Sequence, residues 1–447
     1  MTSPGPSTTS PAPSDDDVIE IARDLIRIDT TNPGDGSGPG ERAAGEHVAA
    51  LLDDLGLEPR LVESEPGRAS VLAHWQPTDP AAAARPALLV HGHLDVVPAN
   101  AADWTVDPFA GEIADDCLWG RGAVDMKDFD AIVLAVLRKR IAEGRSPARP
   151  VTLAFTADEE AGSGLGARFL VDEHADHFDG CTEAIGEVGG FSLTVDGRRV
   201  YLIQTAEKGL AWMRLRAKGI AAHGSMVADD NAVVELARAV TRIGEHRWPV
   251  QLTTGTRGFF EGLSDALDLG IDVDQDDLAP QLDKLGSIAR MIGAAMRHTA
   301  NPTMLTAGYK ANVIPGEATA TVDGRFLPGF EDEFFATIDR LLGDRVERES
   351  IVTNTAVETT FDGDLVAAMT SSLTEHDPDA AVVPFLMSGG TDAKDWTRLG
   401  IRCFGFSPLR LRDDLDFSAM FHGRDERAPL DALRFGTQVL DTFLDRA

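Results

Sequence analysis

Short apolar runs alternate with amphipathic helical patterns along the N-terminal part of the chain. The runs Ala87–Val90, Val151–Phe155 and Ala184–Ile185 are too short for helices and are predicted to be buried strands. Between them, Asp128–Ala142 and Leu165–His174 carry apolar residues at helical spacing. Strands that alternate with helices are typical of an α/β domain, so we predict a mostly parallel central sheet flanked by helices.

The pattern changes near Gly209. The segments Ala211–Ala217 and Ala318–Phe326 alternate apolar and polar residues, as strands with one solvated face do. Helical patterns follow at Asp230–Ile243 and Glu331–Leu342. We therefore predict a separate α+β domain that is inserted into the first domain.

The predicted organisation has three parts. Residues 1–14 are rich in proline, serine and threonine and are predicted to be a disordered leader. The α/β domain is assigned to 15–208 and 357–447, and the inserted domain to 209–356. Within the inserted domain, 249–300 is predicted to be an extra insertion.

The balance of charge excludes one broad class of function. Lysine and arginine number 41 and aspartate and glutamate 73, so the formal net charge is −32. Proteins that bind nucleic acid by neutralising phosphates need the opposite sign.

An apolar stretch long enough for a membrane span is also missing from the sequence. The three cysteines are far apart, which disfavours a disulfide framework and favours the cytoplasm.

Acidic residues and histidines cluster directly after the predicted strands. His93 and Asp95 follow Ala87–Val90, and Glu159–Glu160 follows Val151–Phe155. Open parallel sheets bind ligands at the carboxyl ends of their strands, so these residues are candidates for a metal or catalytic site. Further candidates with the same chemistry are Asp125, Glu187 and His422. Taken singly, each has a simpler interpretation as a solvated loop residue, a helix N-cap or part of an acidic turn.

Eight short motifs occur together along nearly the whole chain. They are GHLDVVP (92–98), GRGAVDMKD (120–128), ADEEAGS (157–163), GEVGG (186–190), NVIPG (312–316), DGRFLPG (323–329), SGGTDA (388–393) and FHGRDE (421–426). In this order they closely resemble the M20 family of metallopeptidases. That family includes succinyl-diaminopimelate desuccinylase, acetylornithine deacetylase, aminoacylase and carboxypeptidases.

The resemblance implies a catalytic domain that binds two zinc ions. Matched residue by residue, His93 and Glu187 would bind one metal ion, Glu160 and His422 the other, and Asp125 would bridge them. Asp95 would orient His93, and Glu159 would be the general base that takes a proton from a metal-activated water. Imidazole and carboxylate ligands suit zinc, although cobalt or manganese can replace it.

The resemblance also implies residues that bind substrate. His223, in the inserted lid or dimerisation domain, would stabilise the oxyanion of the tetrahedral intermediate. Asn312 and Arg325 would hold a substrate carboxylate, and Gly390 and Thr391 would line the pocket from the catalytic domain. His91, which shares the face of His93 in an extended chain, is predicted to lie in the core or directly behind the metal ligands. The other histidines are assigned to surface or helix faces: His47, His74, His174, His177, His246, His298 and His376.

The function implied is zinc-dependent hydrolysis of an amide or peptide bond in an N-acyl amino acid or short peptide with a free carboxylate. A specific succinyl-diaminopimelate desuccinylase or acetylornithine deacetylase remains an alternative, as does a non-catalytic metal-binding scaffold.

Asp128 and Phe129 replace the small glycines that many family members have after the DMK motif. The insertion at 249–300 leaves open whether the inserted domain forms a homodimer.

Overall fold

The computed structural model describes residues 14–195, 197–275 and 289–447. The predicted leader, apart from Ser14, and residues 276–288 of the predicted insertion lie outside this description. By backbone contacts the chain divides into two units. The first contains the residues up to Leu193 together with Asp362–Ala380 and Arg398–Ala447, and the second contains Thr194–Phe361 and Ala381–Thr397. The inserted domain predicted at 209–356 lies inside the longer segment of the second unit, and its boundaries stay a prediction.

The helices and strands of the described residues are numbered here in chain order. The helices are α1 (Asp17–Arg27), α2 (Arg42–Asp54), α3 (Pro80–Ala83), α4 (Lys127–Ala142), α5 (Ala167–Glu173), α6 (Ala232–Glu245), α7 (Thr254–Leu267), α8 (Ala289–Ala295), α9 (Glu331–Leu342), α10 (Asp364–His376), α11 (Ala393–Trp396) and α12 (Leu430–Phe443). The strands are β1 (Arg60–Glu65), β2 (Arg68–Trp75), β3 (Ala87–His93), β4 (Glu112–Ala114), β5 (Cys117–Trp119), β6 (Val151–Thr156), β7 (Cys181–Gly186), β8 (Ser192–Val195), β9 (Arg198–Glu207), β10 (Gly209–Lys218), β11 (Ala222–His223), β12 (Thr299–Ala307), β13 (Val313–Ile314), β14 (Glu317–Phe326), β15 (Val346–Asn354), β16 (Val357–Glu358), β17 (Ala381–Met387), β18 (Arg402–Gly405) and β19 (Arg427–Pro429).

The first unit is built on a mostly parallel sheet, which confirms the predicted α/β class. Its strands run in the order β1-β2-β6-β3-β7-β18. The pairs β6–β3, β3–β7 and β7–β18 are parallel, whereas β1 and β2 are antiparallel additions at one edge. All residues of β3 and β6 are buried. Helices cover both faces of such a sheet, which is why these strands occur in the sequence as continuous apolar runs.

The second unit contains an antiparallel sheet in the order β12-β14-β10-β15. Along β10, Met213 and Leu215 are buried, whereas Trp212 is 41% exposed. The buried face packs with apolar residues of α6 and α9, such as Leu236 and Phe334, in one hydrophobic core. The alternation in sequence therefore reflects one face against helices and one face toward solvent. Elsewhere in this unit, β9 pairs with β17 in parallel and with β16 antiparallel.

Within the described ranges, no helix combines the length and the apolar character that a membrane crossing requires. The expected cytoplasmic location stays a prediction.

Candidate metal centre

Five segments of the first unit bring the candidate ligands together. His93 is the last residue of β3, Glu160 follows β6, and Glu187 follows β7 directly. Because these strands are parallel neighbours, their carboxyl ends meet at one edge of the sheet. Asp125 comes two residues before α4, and its peptide bond to Met126 is cis. His422 lies in the turn that precedes β19.

The two histidines face opposite oxygens of one carboxylate. Nε2 of His93 lies 3.1 Å from Oδ1 of Asp125 and 3.5 Å from Oε2 of Glu187. Nε2 of His422 lies 3.3 Å from Oδ2 of Asp125 and 3.0 Å from Oε2 of Glu160. The structure thus places Asp125 between a His93–Glu187 pair and a His422–Glu160 pair, which is the arrangement a bridging carboxylate needs.

The donor set fits divalent metal ions. Two groups of three residues could each hold a metal ion, because the ligand atoms within each group all lie within 4.8 Å of one another. One group is His93, Glu159 and Glu187, and the other is His93, Asp125 and Glu160. Oε1 of Glu160 is buried and has no hydrogen-bond partner among the described residues. Imidazole nitrogens and carboxylate oxygens are ordinary ligands of zinc and its neighbours in the transition series.

The tautomer of His93 is set by its surroundings. Nδ1 of His93 lies 3.0 Å from the backbone carbonyl oxygen of Asp95, which can only accept a hydrogen bond. In the neutral ring, Nδ1 therefore carries the hydrogen and donates it to this oxygen. The lone pair of Nε2 then faces the carboxylates of Asp125 and Glu187, where a metal ligand must point.

Negative charge dominates this cluster, and the pKa values of its members reflect this. Burial disfavours the protonated ring of His93, but the carboxylates of Glu187 and Asp125 outweigh it and raise the pKa well above its usual value. Hydrogen bonds to Asp125 and Glu160 raise the pKa of His422 to about 10. Burial, together with the charge of Asp125, raises the pKa of Glu160. Such a site favours the binding of cations.

The side chain of Asp95 has a wider role than orienting His93. Oδ1 of Asp95 lies 3.5 Å from Nδ1 of His93. The same carboxylate accepts hydrogen bonds from the backbone N–H groups of Glu159 and Glu160, both at 3.1 Å, and from Nδ2 of Asn32 at 2.9 Å. Asp95 therefore holds the turn that carries two candidate site residues, which sequence reasoning did not predict.

Two further residues that sequence reasoning missed support Asp125. Glu426 is fully buried and accepts hydrogen bonds from the backbone N–H groups of Val124 at 2.6 Å and Asp125 at 3.0 Å. Its other oxygen pairs with Nη1 of Arg121 at 2.6 Å. Both Arg121 and Glu426 lie inside the quoted GRGAVDMKD and FHGRDE motifs, which is the signal that marks them.

Several residues beside the site have left-handed backbone conformations. The φ angle is +64° at Asp158, +54° at Val188 and +57° at His422. A branched side chain such as that of Val188 rarely adopts this region, because Cβ approaches the backbone too closely. Backbone strain of this kind collects at functional sites, where the surrounding structure holds it in place.

The candidate substrate-binding residues lie in the second unit. His223 on β11 pairs with Val313 on β13, and the N–H of Gly224 donates to the carbonyl oxygen of Asn312 at 2.9 Å. The structure thus brings His223 and Asn312 to one small two-stranded sheet. Nδ1 of the exposed His223 lies 2.8 Å from Oγ of Ser225.

Two of the other three predicted positions in this unit, Arg325 and Thr391, already have internal partners. Nε and Nη2 of Arg325 donate to the two carboxylate oxygens of Asp323, at 2.8 and 3.2 Å. The backbone N–H and the hydroxyl of Thr391 both donate to Glu207, at 3.0 and 2.5 Å. Gly390 and Thr391, assigned from sequence to the catalytic domain, fall in the second unit because the preceding strand β17 pairs with β9.

The family model that describes peptidase family M20/M25/M40 matches residues 89–446 of this chain. This chain belongs to that family. The M20 resemblance is therefore confirmed, and the protein is a hydrolase that acts on amide bonds.

Individual M20 relatives are distant but cover most of the chain. The probable carboxypeptidase S-like 2 of Dictyostelium discoideum is 28% identical over 380 residues, or 80% of this chain and 70% of that protein. Aminoacylase-1 of Sus scrofa is 26% identical and covers 92% of this chain and 90% of its own length. The solved structure of an M20 family metallo-carboxypeptidase, Sso-CP2 from Sulfolobus solfataricus, is 20% identical with a TM-score of 0.71, and the match covers 96% of this chain and 99% of that chain.

Proposed function

We propose that this M20 protein hydrolyses the amide bond of an N-acyl amino acid or short peptide with a free carboxylate, using two zinc ions. The observation that carries the proposal is the position of Asp125, whose two oxygens each face one histidine. The printed names of two relatives, an aminoacylase and a carboxypeptidase S-like protein, support this substrate class.

The metal ligands we propose are His93 and Glu187 for one ion, His422 and Glu160 for the other, and Asp125 for both. A bound pair of divalent cations supplies polarisation of the amide carbonyl and a lowered pKa for water. The chain itself then has to move one proton from water to the leaving amine. We assign this to Glu159, whose carboxylate lies within 4.8 Å of ligand atoms of His93 and Glu187.

The second unit would supply substrate binding. His223 lies on β11, and Asn312 directly precedes β13, the partner strand of β11. We propose His223 for the oxyanion of the tetrahedral intermediate, and Asn312, Arg325, Gly390 and Thr391 for binding the remainder of the substrate.

We also propose that the protein forms a homodimer through the inserted domain. Strand β12 lies at the end of the β12-β14-β10-β15 order, so one of its edges has no partner strand among the described residues. On and beside it, Met304, Leu305 and Tyr309 are 66%, 57% and 83% exposed. Exposed apolar side chains along an open strand edge are typical of strand pairing between subunits.

A hydrolysis screen tests the proposed function. Zinc-loaded protein is incubated with N-acetyl, N-succinyl and long-chain N-acyl amino acids and with dipeptides, and the released amine is measured. Turnover of N-acyl amino acids or dipeptides that stops on chelation and returns with zinc or cobalt supports the proposal. Turnover confined to N-succinyl-diaminopimelate or N-acetylornithine favours the specific biosynthetic enzymes. Bound metal without any turnover favours the non-catalytic scaffold.

A further inference from the structure

Asn32 and His298 are buried polar residues that the proposed function does not use, at 3% and 1% exposed. Sequence reasoning assigned His298 to a surface or helix face, and its burial shows that this was wrong. Asn32 differs from His298 in its position. It contacts the carboxylates beside Glu159 and Glu160, so its hydrogen bonds bear on the candidate metal centre.

The side-chain amide of Asn32 makes four hydrogen bonds. Its Nδ2 donates to Oδ2 of Asp95 at 2.9 Å and to Oδ1 of Asp158 at 3.0 Å. Its Oδ1 accepts from Nη2 of Arg68 and from the backbone N–H of Gly34, both at 3.1 Å. An amide has two donor hydrogens and two acceptor lone pairs, so all of this capacity is used. The opposite orientation would point the oxygen at two carboxylates, which their charge forbids.

The two carboxylates hold the turn between β6 and α5 at two points. Asp95 accepts the backbone N–H groups of Glu159 and Glu160, each at 3.1 Å. Oδ2 of Asp158 accepts the backbone N–H of Leu165 at 2.8 Å. A single amide therefore sets the separation of two carboxylates, and these carboxylates in turn set the path of the turn.

The backbone of Asn32 is held in place independently of its side chain. Its N–H donates to the carbonyl oxygen of Val96 at 2.9 Å, and the N–H of Val96 donates to the carbonyl oxygen of Thr30 at 3.2 Å. Oγ1 of Thr30 donates to the carbonyl oxygen of Leu94 at 2.6 Å. These bonds keep the segment beside Asp95, and a substitution of the side chain does not remove them.

Arg68 extends the same network to the start of α2. It is 7% exposed, and its Nη1 pairs with the carboxylate of Glu41, which is 0% exposed. The carbonyl oxygen of Gly67 accepts the N–H of Glu41 at 2.9 Å and that of Arg42 at 3.1 Å. Arg68 is the first residue of β2, the strand that pairs with β6. The acceptor side of the Asn32 amide is therefore tied to the sheet from which the turn emerges.

We propose that Asn32 is a positioning residue of the metal centre, which places Glu159 and Glu160 through the carboxylates of Asp95 and Asp158. The roles of Glu159 as general base and of Glu160 as metal ligand rest on the proposed function. Two buried carboxylates that lose a shared donor repel each other more strongly, so the turn that they hold is expected to shift.

The zinc affinity of Asn32→Ala tests this role without any substrate. Metal-free protein is titrated with zinc in competition with a chelating dye. The Kd for zinc is expected to rise by about 10-fold to 100-fold, because a ligand is no longer held in place. The matched control is Asn100→Ala, which removes an exposed amide that donates to Asp103 at 2.8 Å and should bind zinc as the wild type does.

A double variant distinguishes positioning from a general loss of stability. Because Asn32 acts through Asp95, combining Asn32→Ala with Asp95→Asn should raise the Kd by less than the product of the two separate fold-changes. At saturating zinc, kcat of Asn32→Ala should fall by about 10-fold to 100-fold with little change in KM, because the base is displaced. Asn32→Ser keeps one donor and should fall between Asn32→Ala and the wild type.

Other results would overturn the inference. An unchanged zinc affinity in Asn32→Ala does so and leaves the proposed function intact. Fold-changes that multiply independently in the double variant, together with a lower melting temperature of Asn32→Ala, show a purely structural residue, as does failure of both Asn32→Ala and Asn32→Ser to fold. If the wild type binds zinc but hydrolyses no compound of the screen, the proposed substrate class fails and zinc affinity still decides the inference. A wild type that binds no zinc rejects both.

Discussion

The carboxylate of Asp125 connects the two halves of the candidate metal centre. Each of its oxygens lies within about one hydrogen-bond length of a histidine nitrogen, at 3.1 and 3.3 Å. The backbone at this position is held by Glu426, which accepts the N–H of Asp125 and is itself paired with Arg121. Changing a residue that holds a metal ligand in this way typically lowers metal affinity by about 10-fold to 100-fold.

Glu159→Gln tests the general base. The variant should lose turnover by about 100-fold to 10,000-fold, because an amide cannot take up the proton of the attacking water. Zinc content, measured by plasma mass spectrometry, should stay close to that of the wild type. Glu173→Gln, at an exposed residue of α5, is the matched control and should be fully active. Activity retained by Glu159→Gln would place the base elsewhere.

Asp95→Asn tests the support of the Glu159–Glu160 turn. An amide offers one acceptor oxygen in place of two, so the hydrogen bonds from the two backbone N–H groups cannot all be kept. Zinc affinity, measured by competition with a chelating dye, should fall about 10-fold to 100-fold. Asp53→Asn, at an exposed residue of α2, should bind zinc as the wild type does. An unchanged affinity in Asp95→Asn would argue against a supporting role.

At the scale of elements, α4 and the C-terminal helix α12 are joined by buried charge. Arg140 of α4 is 0% exposed and donates to the backbone and side chain of Asp441 on α12, at 2.7 and 2.8 Å. Lys139 and Arg145 also contact Asp441, at 3.0 and 2.9 Å. Since α4 begins two residues after Asp125, this network anchors the helix that follows a candidate ligand.

Asp441→Asn tests this network and predicts a pH dependence. Partial burial would raise the pKa of Asp441, but hydrogen bonds from Lys139 and Arg145 outweigh it and lower the pKa below its usual value. A carboxylate whose folded pKa is depressed stabilises the protein above its unfolded pKa of about 4 and loses this effect as the pH falls further. We expect a loss of about 3 kcal/mol in the free energy of unfolding at pH 7.

Urea denaturation at several pH values measures this difference. The difference in the free energy of unfolding between wild type and Asp441→Asn should be constant above about pH 5 and should decrease below about pH 4. Glu143→Gln removes a carboxylate that is 45% exposed and contacts Arg145, so it should cost less than about 1 kcal/mol. If this difference in free energy stays the same at every pH down to acid unfolding, the charge of Asp441 is not the source of the stabilisation.

At the scale of the whole molecule, the antiparallel sheet of the second unit has two different edges. Strand β12 forms one edge and β15 the other. Met304 and Leu305 are exposed on β12, and Ile351 is 42% exposed on β15 at the opposite edge. A dimer that forms by pairing of β12 strands would bury the first two residues and leave the third accessible.

Met304→Asp combined with Leu305→Asp tests the proposed dimer. Light scattering during gel filtration should give the wild type twice the chain mass of 47.8 kDa and the double variant the mass of one chain. Ile351→Asp should remain dimeric, because it changes the opposite edge of the sheet. A wild type with the mass of one chain would reject the proposed homodimer.

Much of the fold could be predicted from the sequence. The strand at Ala87–Val90 and the helix at Asp128–Ala142 match β3 and α4 to within a few residues, because buried strands and long helices leave clear apolar patterns. Strands β1 and β9 were not predicted. In β1, charged residues interrupt the apolar ones, since an edge strand is partly exposed and its pattern is correspondingly weak.

The sequence by itself determined the family and the chemical identity of the candidate ligands, because the ligand side chains are recognisable within short motifs in a consistent order. Only the tertiary structure decided how those groups pair. Arg121 and Glu426 are 305 residues apart, and the first residues of β10 and β12 lie at the same end of the sheet only because both strands pair with β14. Arg325 could be named from its motif, but its engagement with Asp323 could not, because motif residues do not specify which partners a folded chain brings within hydrogen-bond distance.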